Sequence, residues 1–263
     1  MTKSEIYGKI SRALAATPLG YCRVRIRVGF AKGAQWTLLP FSSYWRLGGA
    51  EQDVLAATSY LPTLNGIVFW DFGAHFGIHT VGMAMQIGPT GQVAAFEPDP
   101  GAFRRLQYHV EINHLSNVRL FEAAASRTSG RENLYLPGGK GSAVSHFRYY
   151  ASDDMTGVDS ISVPTIAPDD LVAEGKIRGP HIIKIDVQGH GAEAVAGAIN
   201  TIRTTLPIIA FSNHSEAERS GIQRLLEPLS YTPVHFDGSS CAWLDITEAL
   251  LIPNQLLKSE QTT

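Results

Sequence analysis

The stretch from residue 68 to 80, Val-Phe-Trp-Asp-Phe-Gly-Ala-His-Phe-Gly-Ile-His-Thr, constrains this chain more than any other. Residues 67–72 form an apolar run short enough for a buried strand, interrupted only by Asp71. Gly73 and Gly77 bracket a tight loop, and Ile78, Val81 and Met85 then recur at helical spacing. A strand feeding a helix through glycines sets backbone N–H groups at a helix N-terminus, a ready site for a nucleotide or carboxylate. The loop is not the dinucleotide fingerprint G-x-G-x-x-G. An acid before G-x-x-x-G suits S-adenosylmethionine better: Asp71 can hold the ammonium of that cofactor and Gly73 lets the backbone approach its methionyl part. The plainer alternative is a buried strand-to-helix turn with a capping Asp.

A second acid strengthens the cofactor reading. Residues 92–96 form another short buried strand that runs into Glu97-Pro-Asp-Pro100. In doubly wound folds an acid about 20 positions past the glycine loop hydrogen-bonds the ribose hydroxyls. Glu97 stands where the next parallel strand ends, and Pro98 stops the ladder there.

The remaining pattern is strand, helix, strand, helix. Residues 100–113 read as a helix with Phe103, Leu106 and Val110 on one face, 117–122 as a third strand, and 132–136 as a fourth outside the main rhythm. Residues 161–166 read as a short strand, and Pro168 opens a short helix. Residues 181–187 are a buried strand ending at Asp186, and a helix follows with Ala192, Val195, Ala196 and Ile199 inward. Residues 206–211 form a further strand and 216–229 a helix, while 231–236 and 241–244 read as a terminal antiparallel pair. Such alternation implies a parallel sheet with helices on both faces.

The 263 residues suffice for one large α/β domain with appendages. Three units are expected: an extension over 1–60, a catalytic domain over 61–253, and a polar tail over 254–263. In the extension, residues 2–16 read as a helix. Residues 21–30 read as a strand with Arg23, Arg25 and Arg27 on one face, 35–39 as its hairpin partner, and 51–60 as a helix. The three arginines either grip an anionic substrate or form a solvated face. Residues 137–159 break the rhythm with glycines and aromatics; a loop this long is a lid, a binding loop or disordered, and a substrate lid is the expectation. Within it His146 and Tyr149 are candidate substrate contacts; the aromatics can equally form a satellite core.

A formal net charge of −2 gives no reason to expect nucleic acid or an anionic membrane as partner. Two distant cysteines, Cys22 and Cys241, suit a reducing compartment. With no apolar run of membrane-spanning length and no leader-like segment, a cytoplasmic location is the expectation.

Three segments, Asp71-Phe-Gly-Ala-His-Phe-Gly77, Phe96-Glu-Pro-Asp-Pro100 and Ile183-Lys-Ile-Asp-Val-Gln-Gly189, together resemble the FkbM family of S-adenosylmethionine-dependent methyltransferases. Asn117-Val-Arg-Leu120 matches a fourth family segment, and the likeness runs roughly over residues 46–207. The chain departs from the family pattern at His75, Gln188, Gly191 and Phe211, where the family carries Asn and three acids. The resemblance implies a class I methyltransferase fold, Rossmann-like, with a seven-stranded, mostly parallel sheet whose last strand is antiparallel. It implies S-adenosyl-L-methionine as cofactor and a hydroxyl of a sugar or natural product as acceptor. Cofactor roles carry over to Asp71, Gly73, Ala74, Phe76, Gly77, Thr80, Glu97, Pro98, Ala124 and Ala125.

Methyl transfer to a hydroxyl requires placing the oxygen near the methyl and removing its proton, by a base or a metal. Asp186, at the carboxyl end of a central strand, can orient the acceptor, act as base or bind a divalent ion; its alternative is a helix cap. His190 and His214 are candidate bases at neutral pH. Asp186 with Asn213 or His214 is a candidate magnesium or manganese site, and Asn213 is also a candidate acceptor contact. Two other classes stand beside this one: a catalytically silent S-adenosylmethionine-binding protein, and a nicotinamide-dependent oxidoreductase, against which the missing fingerprint counts. The extension is placed to serve a homodimer.

Overall fold

The computed structural model describes residues 21–37, 52–136, 146–147 and 158–257. The expected helix at 2–16, Tyr149 and most of the expected lid lie outside them.

Two short strands open the described chain, β1 (Arg23–Arg25) and β2 (Gln35–Thr37), paired antiparallel. The strand expected over 21–30 is thus shorter than its alternation suggested. Gly29 and Gly33 take positive φ, the Ile26 and Gly33 N–H groups close the hairpin on Ala34 and Ile26 carbonyls, and Val28 is left 39% exposed. The chain continues through α1 (Gln52–Thr58), β3 (Val68–Phe72), α2 (Ile78–Gln86), β4 (Gln92–Phe96), α3 (Pro100–Ile112) and β5 (Val118–Phe121). Then come β6 (Ala124–Ala125), β7 (Gly130–Tyr135), β8 (His146–Phe147), β9 (Ser160–Ile166), α4 (Pro168–Ala173) and β10 (Ile182–Ile185). The last part holds α5 (Gly191–Gly197), α6 (Ile199–Thr205), β11 (Ile208–Ser212), α7 (Glu216–Leu226), β12 (Tyr231–Val234), β13 (Glu248–Pro253) and α8 (Asn254–Leu257).

The main sheet has seven strands in the order β12-β13-β11-β10-β3-β4-β5. The pairs from β11 to β5 are parallel, and β13, last in sequence, runs antiparallel to both its neighbours. All five residues of β3 and all four of β10 are buried, as a sheet covered by helices on both faces requires. Alternation divides the core: Trp70, Phe72, Ile183 and Ile185 pack on one side, Phe69, Ile182 and Val93 on the other. This is the expected class I arrangement.

Strands β6, β9, β7 and β8 form a second sheet, which absorbs the strand expected at 132–136. Leu134, Phe147 and Val163 make its small core.

The terminal antiparallel pair differs from expectation. The partner of β12 is Glu248–Pro253, whereas 243–245 is a single 3-10 turn. The run Ala249-Leu-Leu-Ile252 is fully buried between β11 and β12, and Leu244 is 74% exposed, so burial selected the more apolar segment. The tail also begins as a helix, with Leu256 and Leu257 packed on the core. No helix among the described residues is long and apolar enough to cross a membrane.

Candidate functional site

A cleft opens at the carboxyl ends of β3, β4 and β10, with β6 and the second sheet along its side. Its floor is the glycine loop. The Gly73 and Ala74 N–H groups both donate to the Phe96 carbonyl, at 3.1 and 3.0 Å, which ties the loop to the end of β4. Gly73 has φ 79°, and a Cβ there would overlap the Asp186 carbonyl oxygen, so this position requires glycine for conformation and space. His75 occupies the left-handed region at φ 50°, where Asn, Asp and His are the side chains most often tolerated. It stacks on Phe76 with ring centroids 3.7 Å apart.

Glu97 lies at the end of β4 and is 7% exposed. Its Oε2 accepts the His75 N–H at 2.7 Å and its Oε1 accepts the Asp99 N–H at 2.8 Å. Burial pushes its pKa up to about 7 against the pull of those two donors. Each oxygen retains a lone pair, so the group still has acceptor capacity toward a ligand.

Ala74, Phe76, Pro98, Ala124 and Ala125 line the cleft beside Gly73 and Glu97. Asp71, Gly77 and Thr80 do not. Asp71 is fully buried behind the wall, where its Oδ2 accepts the Thr80 hydroxyl at 2.6 Å and its Oδ1 faces Lys184 Nζ at 3.5 Å. The expectation that Asp71 meets the cofactor's ammonium is therefore corrected: the cation it meets belongs to the protein. Gly77, at φ 88°, precedes α2 and has Leu106 in the space a side chain would need.

Lys184 is the site residue that sequence reasoning missed. It lines the cleft yet is 3% exposed, and its ammonium donates to the Gly73 carbonyl at 3.1 Å and stands 3.8 Å from Asp186 Oδ2. Burial depresses its pKa, but Asp71, Asp186 and Asp53 outweigh that, and the amine stays charged. The available signal was a lysine inside an otherwise apolar buried strand, which demands a counter-charge.

Asp186 and His214 come together from the ends of β10 and β11. The His214 Nε2 to Asp186 Oδ1 distance is 2.8 Å. Burial pushes the Asp186 carboxyl up, but Lys184 and His214 outweigh it and hold the group well below the usual carboxylate range. Burial likewise lowers His214, while its bond to Asp186 raises the imidazole above its ordinary value. Gln188, at φ 50°, lines the cleft beside them, and its amide nitrogen is 3.5 Å from His214 Nε2.

His190 also lines the cleft but is 1% exposed, contacts the Ser126 hydroxyl at 3.1 Å and lies 4.2 Å from the Phe147 ring. Burial holds it down at about 4, so it is neutral near pH 7. Such a weak base is poorly matched to proton abstraction, and the structure gives it a place in the cleft wall. His146 is described only as a strand position paired with Tyr135.

The expected metal pair does not fit a divalent ion. Asp186 faces an ammonium and an imidazole, and Asn213 donates to the Ile246 carbonyl at 3.1 Å while accepting the Ser215 N–H at 3.3 Å. Among the described residues no group of three His, Cys, Asp or Glu side chains is arranged to hold a metal. An S-adenosylmethionine-like ligand fits better: an apolar wall of Ala74, Phe76, Ala124 and Ala125 faces a cleft that ends at the Glu97 carboxylate.

Comparison with known proteins finds similar methyltransferases. A family model, the methyltransferase FkbM domain, matches residues 71–234. The hexuronic acid methyltransferase AglP of Haloferax volcanii is 25% identical over 195 residues, 73% of this chain and 75% of that protein. The 2-O-methyltransferase NoeI of Sinorhizobium fredii is 30% identical over 146 residues, 51% of this chain and 58% of that protein. A solved structure of methyltransferase FkbM from Methylobacillus flagellatus aligns with a TM-score of 0.48 and 17% identity, over 72% of this chain but only 44% of that one.

Proposed function

Because the chain belongs to the FkbM methyltransferase family, we propose that this S-adenosylmethionine-dependent methyltransferase transfers its methyl group to a hydroxyl oxygen of a saccharide or similar small acceptor. The observation that carries the reading is the 2.8 Å contact between His214 and Asp186, which lines the cleft. Two relatives are named for methylation of a hexuronic acid and for 2-O-methylation, which supports a sugar as the acceptor class.

When bound, S-adenosylmethionine supplies an electrophilic sulfonium methyl and a neutral leaving group. The work left to the protein is binding, orientation and proton removal. Glu97 would accept ribose hydroxyls through its remaining lone pairs, and Ala74, Phe76 and Ala125, which line the cleft, would enclose the apolar part. Lys184 fixes the Gly73 carbonyl and the Asp186 carboxylate in one frame. Asp186 accepts a hydrogen bond from His214 Nε2–H, which leaves Nδ1 to take the hydroxyl proton and lets the carboxylate stabilise the imidazolium that forms. His190 and Phe147 close the side of the cleft against water.

The test is transfer to a panel of neutral hexoses and hexuronic acids, with S-adenosylhomocysteine release quantified and the methyl located by NMR. A methyl ether on a sugar oxygen, lost in His214→Gln, is the expected outcome. A methyl ester whose rate ignores His214→Gln would contradict the base assignment, since a carboxylate acceptor has no proton to give up. Cofactor binding with no transfer to any hydroxyl would favour the silent binding protein.

A further inference from the structure

Glu218 takes no part in the chemistry above, yet it is wholly buried. It lies in the first turn of α7, where the Ser215 hydroxyl accepts its N–H at 3.1 Å. A Ser three residues before a Glu at a helix start is the capping-box pattern, in which the glutamate returns to the cap residue's own N–H. Here it goes elsewhere. Oε2 accepts the His214 N–H at 2.8 Å, and Oε1 accepts the Gly191 N–H at 2.7 Å. One carboxylate therefore joins two turns: that after β10, which carries Asp186 and Gln188, and that after β11, which carries His214. Gly191 makes the reach possible. A Cβ there would stand 2.6 Å from Glu218 Oε1 and 3.1 Å from Ile185 and Ile222. Burial pushes the Glu218 carboxyl above the usual carboxylate range, against the pull of the His214 and Gly191 N–H donors.

We infer that Glu218 is a positioning residue: by clasping the two turns it sets the contact between Asp186 and His214. The inference rests on the proposed role of that pair. Asp186 and His214 are held on separate strand ends, so their mutual geometry depends on what fixes the turns relative to each other. Two hydrogen bonds to one rigid carboxylate do this directly, at a place no solvent reaches.

The test is the tautomer of neutral His214, read from the nitrogen-15 shifts of its ring at a pH above its titration. Wild type should show the Nε2–H form alone, and Asp186→Asn a mixture. Glu218→Ala should give the same mixture, with S-adenosylhomocysteine affinity within about twofold of wild type and turnover down about tenfold or more. Removal of a charge alone would shift the titration midpoint but leave the tautomer fixed. Gly191→Ala, which crowds the carboxylate, and Glu218→Gln, which can accept only one of the two N–H groups at a time, should fall between. A folded Glu218→Ala that keeps the single Nε2–H form would reduce Glu218 to a helix cap and overturn the inference; should that variant not fold, a single Nε2–H form in both of the others does so. Mixed tautomers in wild type, unmoved by Asp186→Asn, would overturn the pair itself and the clasp with it.

Discussion

The proposed ribose contact of Glu97 ties burial to ligand affinity. Its pKa of about 7 comes from desolvation. Ribose hydroxyls donate to a carboxylate better than to a carboxylic acid, so a bound ligand should lower that pKa and binding should release a proton. Affinity for S-adenosylhomocysteine should therefore weaken several-fold as pH falls from about 7.5 to 6, and calorimetry on Glu97→Gln should show weaker, pH-independent binding. A wild-type affinity that does not change with pH would mean that Glu97 does not meet the ribose. Glu97 was legible in the sequence because its signal is local: an acid after an apolar run at a fixed distance from a glycine loop. Asp71 was equally visible, but its partner was not. Lys184 lies 113 positions away, and register across the β3–β10 pair, which sets the two residues side by side, is what decides their contact. The same limit hid Glu218, whose carboxylate occupies the space beside Gly191, one of the positions where the family pattern expects an acid.

At the scale of elements, the short N-terminal hairpin is more than an appendage. Asn113, the C-terminal cap of α3, brackets Gln35 with two hydrogen bonds of 2.7 Å, and Trp36 stacks on His109 at 3.6 Å. His109 Nδ1 lies 2.7 Å from the Phe76 carbonyl, which can only accept, so Nδ1 carries the proton and Nε2 receives the Thr37 N–H. A single imidazole thus connects β2 to the glycine loop. His109→Phe should leave the Phe76 carbonyl and the Thr37 N–H without this partner, costing about 1–3 kcal/mol of stability. Cofactor affinity should fall with it while turnover at saturating cofactor stays near wild type, as thermal unfolding, calorimetry and steady-state kinetics can check. Unchanged cofactor affinity in a folded variant would detach the hairpin from the loop. The sequence showed the helix and the hairpin separately, because each has its own periodicity. Their junction is a tertiary contact between a helix side chain and a strand edge, and neither pattern encodes it. The terminal strand pair failed for a related reason: two segments could pair with β12, and only burial in the finished sheet distinguished them.

For the molecule as a whole, titration sets opposing trends. His109 and His190 are held by burial at about 3 and about 4, below their unfolded value of 6.5. The unfolded chain therefore takes up protons first, and stability is lost as pH falls from 6.5, by on the order of 2–3 kcal/mol per imidazole at pH 4.5. Glu97 acts in the opposite sense. Its raised pKa contributes stability that is full below about 4.5 and lost as pH rises through about 7, so it offsets part of the loss. Urea unfolding at pH 7 and 4.5 should show a net decline in wild type and a steeper one in Glu97→Gln; parallel behaviour would contradict the assignment. The parallel sheet with helices on both faces was legible because alternating strands and helices admit few topologies, and the antiparallel last strand was legible through the family resemblance, whereas the proposed proton-accepting centre depends on which strand ends meet. That centre is tested most directly by the pH dependence of methyl transfer to a sugar acceptor, in wild type, Asp186→Asn and His214→Gln. The rate should rise with pH to a plateau, with its midpoint above 6.5 because Asp186 raises the imidazole. Asp186→Asn should move the midpoint down and lower the plateau, and His214→Gln should lose the rise and about a hundredfold in rate. A profile that survives His214→Gln unchanged would contradict the account.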